Sequence, residues 1–416
     1  MTAGPLEGVK VLDLSRVLAG PWSTQILADL GADVLKIEVP GHGDDTRGWG
    51  PPFLTAADGQ EDLEQSGYYL CCNRNKRSIA VDLGHEKGAA LIRDLAGKAD
   101  ILVENFKVGG LKKFGLDHAR IAAVNPRIVY CSITGFGHTG PYTDRGGYDF
   151  VAQGMGGFMS VTGEADGEPL RAGVAMADLS TGMYATVSIL AALRHAERTG
   201  EGQWIDVSLL DTQIAMLANQ SMNWLVGRQV PGRLGNRHPT VVPYKTFEVA
   251  DGIMIIAVGN DRQFRLLCRE LGMEELADDP RFTTSRARMV NRDDIERIVQ
   301  EKVRRFKRQE LIERLVARGV PTGPVNDLQD VFEDPFIEAR GVVHHFRRPD
   351  GVEVPSVAFP PKLSRTPAEY RRRPPHVGEH SREGLADWLG LDGGALDVLE
   401  AAGAIVQRPQ TPAKGA

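Results

Sequence analysis

Apolar positions in the first third of the chain fall into short runs separated by stretches of helical spacing. Residues 9–14 (Val-Lys-Val-Leu-Asp-Leu) form a run of strand length, and residues 21–30 carry helical spacing with Pro21 near the first turn. Gly31 stops that helix, and residues 32–38 read as the next strand. Further strands are expected at 77–82, 101–104 and 127–133, with a helix over 87–96. Strands that alternate with helices of this length imply parallel βαβ units, with helices on both faces of an open sheet. Beyond about residue 225 the pattern changes. Residues 245–258 alternate around Asp251-Gly252, as a hairpin does, followed by a helix at 263–271 and a charged helical stretch at 292–318.

The fold class expected from this pattern is α/β: an open, parallel-sheet, Rossmann-like large domain with a smaller α+β domain. Residues 1–225 supply the first part of the large domain, 226–330 the small one, and 331–416 a return segment that completes the large one. Residues 355–375 are proline-rich and extended, suited to the surface or to a path along a neighbouring subunit. A last helix is expected at 383–389, before a disordered tail at 407–416.

Composition narrows the class. The chain has 416 residues, 42% hydrophobic and 25% charged, with net charge −6, as in an ordinary soluble protein with room for two domains. Mild acidity argues against nucleic acid as partner. No uninterrupted apolar run reaches about 18 residues, which argues against a membrane span. The N-terminus lacks the basic start and apolar core of a signal peptide. Cysteines 71, 72, 131 and 268 show neither metal nor disulfide spacing, which fits a reducing, cytoplasmic setting; the Cys71-Cys72 pair is expected in a strand. The first turn, Leu18-Ala-Gly-Pro-Trp-Ser23, lacks Gly-x-Gly-x-x-Gly, and no P-loop or clustered-histidine motif occurs. Nicotinamide cofactors, ATP hydrolysis and bound metals are therefore not expected.

One carboxylate stands apart. In residues 170–193 only Arg171 and Asp178 are charged, small residues precede the acid, and helix formers follow it. Asp before a helical pattern is a preferred N-cap. An acid in a dry, small-residue pocket is also a candidate nucleophile, and the helix's first N–H groups can hold a developing oxyanion. With an ordinary pKa near 3.9 such an Asp would be ionised at neutral pH. Both readings can hold together. Basic groups cluster at Asn73-Arg74-Asn75-Lys76-Arg77 and at Asn105-Phe106-Lys107, with Lys112 and Lys113 close behind. Ligands of parallel sheets bind beyond the strands' carboxyl ends, which suits Asn105 to Lys107 for an anionic ligand. Arg47 and Trp49 lie in a loop that reads either as a binding loop or as plain surface.

In this order, the segments Leu6-Glu-Gly-Val-Lys-Val-Leu-Asp-Leu14, Ala19-Gly20-Pro21, Gly31-Ala-Asp-Val-Leu-Lys-Ile-Glu38, Asn73-Arg-Asn-Lys-Arg-Ser78, Val103-Glu-Asn-Phe106, Gly135-Phe-Gly, Ala177-Asp178 and Gly319-Val-Pro resemble the family III coenzyme A transferases over nearly the whole chain. Gly43-Asp-Asp-Thr-Arg47 and Arg145-Gly-Gly-Tyr-Asp149 are most similar to members that exchange CoA between succinyl-CoA and glutarate. The resemblance implies a homodimer of two interlocked subunits and a CoA transferase acting on an acyl-CoA and a small carboxylic acid, with CoA as substrate and no permanently bound cofactor. It implies Asp178 as the nucleophile, with Tyr148 and Asp149 beside it. Leu18, Ala19, Arg47, Arg74, Arg77, Leu83, Asn105, Phe106, Lys107 and Lys113 are the residues it places along CoA, with Arg47 or Arg74 as candidate grip for a dicarboxylate's distal carboxylate. Racemases of the same family carry His where this chain has Tyr148, and phenol is a poor base at neutral pH, so transfer is favoured over racemisation. Formyl-transferring members carry Gln where this chain has Leu18. A racemase or epimerase and a non-catalytic CoA-binding protein remain the alternatives.

Overall fold

The computed structural model describes residues 4–409, and the chain divides into two compact units. The larger comprises Met1–Phe158, Arg171–Ser221 and Glu338–Ala416; the smaller comprises Met159–Leu170 and Met222–Ile337.

The larger unit is built on a seven-stranded sheet. Strands β1 (Lys10–Asp13), β2 (Asp33–Glu38), β3 (Lys76–Val81), β4 (Ile101–Glu104), β5 (Val129–Thr134) and β6 (Gln203–Ser208) are parallel, in the order β3-β2-β1-β4-β5-β6. A short antiparallel strand, β7 (Ile405–Val406), closes the β3 edge. Strand order reverses between β1 and β4, which opens a crevice at their carboxyl ends. Side-chain alternation sorts the core onto two faces. Val11, Val34, Ile101 and Val129 pack with α1 (Ala19–Asp29) and with the long helix at Met176–Thr199. Leu12, Leu35, Leu102 and Tyr130 pack with Leu91, Ile92 and Leu95 of the Glu86–Ala96 helix, and with Leu385 and Trp388. Met176–Thr199 is long and apolar enough to span a membrane by length and composition, an exception to the sequence expectation; half of its most apolar window is buried against the sheet side of this unit.

The smaller unit carries the expected hairpin, Tyr244–Val249 with Gly252–Ala257, and a third antiparallel strand, Thr322–Pro324. Its core includes Phe247, Met254, Phe264, Val299 and Leu315. The charged stretch at 292–318 is two helices, Arg292–Val303 and Arg308–Ala317, because Phe306 turns inward and its carbonyl accepts Ala250 N–H at 2.9 Å. Met159–Leu170, which lies within the residues assigned by pattern to the large domain, groups with this unit: Arg233 donates to Gly167 O at 2.6 Å.

Two local expectations are corrected, for the cysteine pair and for the C-terminal part, while the largely exposed proline-rich segment gains its anchoring contacts. Cys71 and Cys72 follow a short helix, Gly67–Leu70, rather than lying in a strand. The proline-rich excursion is tied to its own unit: Arg371 donates to the carbonyls of Ala28, Gly31 and Ala32, and Asn75 Oδ1 accepts the N–H groups of Arg371 and Arg372. The C-terminal part adds a helix at Gly393–Ala401 and strand β7; residues 410–416 of the expected tail lie outside the described residues.

A buried ionic lattice fixes the loops leaving β1, β2 and β3. Asp13 accepts Thr24 Oγ1 at 2.6 Å and Lys76 Nζ at 3.1 Å, and Lys36 Nζ reaches Asp44 at 2.8 Å. Arg47 clamps Glu38 through Nε and Nη2, at 2.9 and 2.6 Å. The Arg47 and Lys36 charges offset burial and hold the Glu38 carboxyl below its ordinary value. Removing one partner of such a pair strands a buried charge, so Arg47→Ala is expected to cost about 3–5 kcal/mol of stability. Urea unfolding checks this; unchanged stability with a selective loss of substrate affinity would assign Arg47 to binding instead.

Candidate active site

A cleft of about 640 Å³ lies in the larger unit at the carboxyl ends of β1, β4 and β5. Its walls come from Arg16–Ala19, Asn105–Lys107, Thr134–Gly137 and Arg145–Tyr148, and Asp178 opens into it. This is the position at which the reversal of strand order places a ligand crevice.

Close glycine contacts assemble these walls. A Cβ on Gly20 would meet Ser15 Oγ at 2.2 Å, and one on Gly182 would meet Ala19 O at 2.7 Å. Gly182 therefore lets the Met176–Thr199 helix press onto the first turn of α1. Gly135 and Gly147 touch backbone to backbone: a Cβ on Gly147 would lie 2.4 Å from Gly135 Cα. That contact pins the loop carrying Arg145 and Tyr148 to the end of β5. Asn105 stitches the loops after β1 and β4 together, accepting Arg16 N–H at 2.9 Å and donating to Arg16 O at 2.7 Å. Glu104 holds the same turn by accepting Phe106 N–H at 2.8 Å, and burial pushes its carboxyl up to about 7.

Asp178 is not the cap of its helix. The helix begins at Met176, its N-cap is Ala175, and Asp178 sits in the first turn. The capping carboxylate comes from Asp149, at the start of a neighbouring helix, Asp149–Met155. Asp149 Oδ2 accepts Ala177 N–H at 2.7 Å and Asp178 N–H at 3.3 Å, while Oδ1 accepts Gln153 Nε2 at 2.6 Å. Gln153 Oε1 in turn accepts Ala172 N–H at 2.9 Å. The Met176 and Leu179 N–H groups bond to Val174 O and Ala175 O. The N–H groups expected to hold an oxyanion are thus already engaged.

Burial first, and the Asp149 carboxylate second, push the Asp178 carboxyl up to about 7. Its ionisation at neutral pH is therefore partial, not complete as the ordinary value implied. Tyr68 faces the same pair of acids: burial raises its phenol, and Asp178, Cys71, Cys72 and Asp149 raise it further. Trp49 meets Tyr68 edge to face at 5.2 Å. Tyr68 was not among the sequence candidates, although it stands five residues before the Asn73 basic segment; only its burial beside the two acids, which no local pattern encodes, marks it.

The other sequence candidates separate into two groups. Leu18, Ala19, Asn105, Phe106, Lys107, Lys113 and Tyr148 line the cleft, and Leu83 lines a smaller cavity of about 240 Å³ that shares Arg16, Phe106 and Phe114 with it. The arginines do not join them. Arg47 is bound to Glu38; Arg74 reaches Asp29 at 3.0 and 2.6 Å; Arg77 reaches Asp33, Asp387 and Glu383. All three are buried and ion-paired, so neither Arg47 nor Arg74 is free to grip a substrate carboxylate.

Comparison with known proteins agrees with this architecture. The family model described as CoA-transferase family III matches residues 6–381. Succinate–glutarate CoA-transferase of Agrobacterium fabrum is 50% identical over 383 residues, 92% of this chain and 95% of that protein. Succinyl-CoA:glutarate CoA-transferase of Mus musculus is 41% identical over 405 residues, 97% of this chain and 91% of that protein. A CAIB/BAIF family protein from Brucella suis superposes with a TM-score of 0.83 at 48% identity, covering 93% of this chain and all of that one.

The raised Asp178 carboxyl has a consequence for stability. Its folded pKa lies above the unfolded value, so the proton favours the folded state; that contribution is full below about pH 4 and is lost as pH rises through about 7. Asp178→Asn removes the cost of ionisation. Its stability advantage over the parent chain is expected to widen by at most about 3 kcal/mol between pH 5 and pH 8, as read by urea unfolding. A pH-independent difference would contradict the assignment. Matched along nearly its full length, the chain belongs to CoA-transferase family III and is a CoA-transferase.

Proposed function

We propose that the protein moves CoA between succinyl-CoA and glutarate through a covalent intermediate on Asp178. One observation carries this reading: a half-buried carboxylate opens into the cleft at the sheet's switch point. The named activities of the Agrobacterium and mouse relatives support the substrate pair. Asp178, once ionised, attacks the succinyl thioester carbonyl, giving a mixed anhydride and CoA thiolate. The thiolate attacks the aspartyl carbonyl, forming an enzyme–CoA thioester and releasing succinate. Glutarate then attacks that thioester, and the same two steps run in reverse. One thioester replaces another, so the exchange needs no ATP.

The chain's own groups prepare these steps. Partial desolvation strips water from the nucleophile and raises its basicity. Asp149 fixes the helix start that carries it. Leu18, Ala19 and Phe106 give the cleft an apolar wall for the pantetheine arm, and Lys107 and Lys113 offer charge to the coenzyme phosphates. Leu83 belongs to the adjoining cavity and is proposed as part of the nucleotide end of the site. Tyr148 stands exposed at the cleft where a racemase would need its base. Transfer is the reading this supports.

A homodimer is part of the proposal. The helices at Asp149–Met155, Met176–Thr199 and Leu209–Ala215 pack on one another yet expose Phe150, Met155, Met183, Tyr184, Val187 and Ile214. An apolar face of that kind suits a second copy. A cytoplasmic setting is proposed from the four free cysteines.

Incubation with succinyl-CoA and mass spectrometry of the peptide holding Asp178 tests the chemistry. A CoA-sized addition that glutarate discharges is expected; no addition, or full exchange by Asp178→Ala, sinks the mechanism. Light scattering is expected to give the mass of two chains, and a monomer for Val187→Asp; a monomeric parent would remove the dimer.

A further inference from the structure

The proposed substrates share a feature that the mechanism leaves unattended. When one carboxyl of a dicarboxylate reacts at Asp178, the other stays ionised inside the cleft, on the side chain of a group already joined beside the Asp149 carboxylate. A charge so placed needs a cation. Arg47 and Arg74 are excluded by their buried pairs with Glu38 and Asp29. Of the cations lining the cleft, Arg16 is paired with Asp45 at 3.0 Å. Among the described residues, Lys107, Lys113 and Arg145 line it with no carboxylate partner.

We infer that Arg145 holds the distal carboxylate of the acyl donor and acceptor, and so sets the preference for dicarboxylic acids. This rests on the reading of Asp178 as the site of transfer. Position separates Arg145 from the two lysines. Lys107 and Lys113 follow β4, on the loop that borders the smaller cavity through Phe106 and Phe114. Arg145 precedes Tyr148 and Asp149, and Asp149 accepts the N–H of Asp178 itself. It therefore lies on the segment that leads directly into the Asp149–Asp178 contact.

Its surroundings hold it ready. The guanidinium lies over the Tyr142 ring, 4.1 Å from the centroid, which restrains the side chain without neutralising it. The backbone contact between Gly135 and Gly147 fixes the loop to the end of β5. Arg145 is exposed, which leaves its guanidinium open to a ligand. A planar fork of donors matches a carboxylate in two parallel hydrogen bonds, which lysine cannot do.

The test compares glutarate with valerate, an acid of equal chain length lacking the second carboxylate, using the full-length protein with succinyl-CoA as the common donor. Any effect on the donor cancels in the ratio of the two kcat/KM values. Arg145→Gln is expected to lower that ratio about 100-fold, with Arg145→Lys between it and the parent. The affinity of free CoA, measured by calorimetry, is expected to stay within threefold of the parent value. An unchanged ratio overturns the inference. So does an equal loss with both acids, or a matching loss of CoA affinity, which would assign Arg145 to the coenzyme phosphates. A parent protein that transfers CoA to neither acid, or to both alike, sinks the dicarboxylate reading itself; a parent that prefers glutarate with Arg145→Gln unchanged sinks only the role of the arginine.

Discussion

The site depends on one carboxylate placed at the start of a helix that carries another. Asp149 accepts the Ala177 and Asp178 N–H groups and thereby ends the Met176–Thr199 helix as a capping side chain would. A negative charge is favourable there, because the first N–H groups of a helix carry partial positive charge. The same charge opposes ionisation of Asp178. One carboxylate thus stabilises the helix start and adds to the burial that raises the basicity of the candidate nucleophile. Gln153 links this pair to Ala172, which keeps the approach to the helix in place.

The sheet determines where that pair lies. Reversal of strand order between β1 and β4 leaves a crevice, and the glycines at 20, 135, 147 and 182 let its walls approach closer than any Cβ would allow. Beneath the crevice, Asp13, Lys36, Glu38, Asp44, Arg47 and Lys76 neutralise one another out of solvent. Charge conspicuous in the sequence is therefore divided in two: a structural set below the cleft, and a smaller set of unpaired cations on its rim.

Much of the larger unit was legible because its strands are short apolar runs and its helices keep regular spacing. The β1 and β2 strands and the Glu86–Ala96 helix fall within a residue or two of the pattern. Asp178 was legible as well, since it stood nearly alone among small and apolar residues. Other features depend on partners distant in sequence. Nothing near Arg74 reveals that Asp29 will bind it, and nothing near Asp178 reveals that Asp149 will replace it as cap. The break in the charged stretch at 292–318 depends on Phe306 and on Ala250 of the hairpin, so helical spacing alone runs through it. Grouping of Met159–Leu170 with the smaller unit likewise rests on contacts, such as Arg233 to Gly167, that no local pattern encodes.

The central claim is that Asp149 both orders the helix start and tunes the ionisation of Asp178. Single-turnover formation of the enzyme–CoA adduct, followed from pH 5 to pH 9 in the parent chain and in Asp149→Asn, tests it most directly. The account predicts a rate that rises with a midpoint near pH 7 in the parent, and a midpoint displaced to lower pH once the neighbouring charge is gone. A rate already level at pH 5, or a midpoint indifferent to Asp149→Asn, would contradict it.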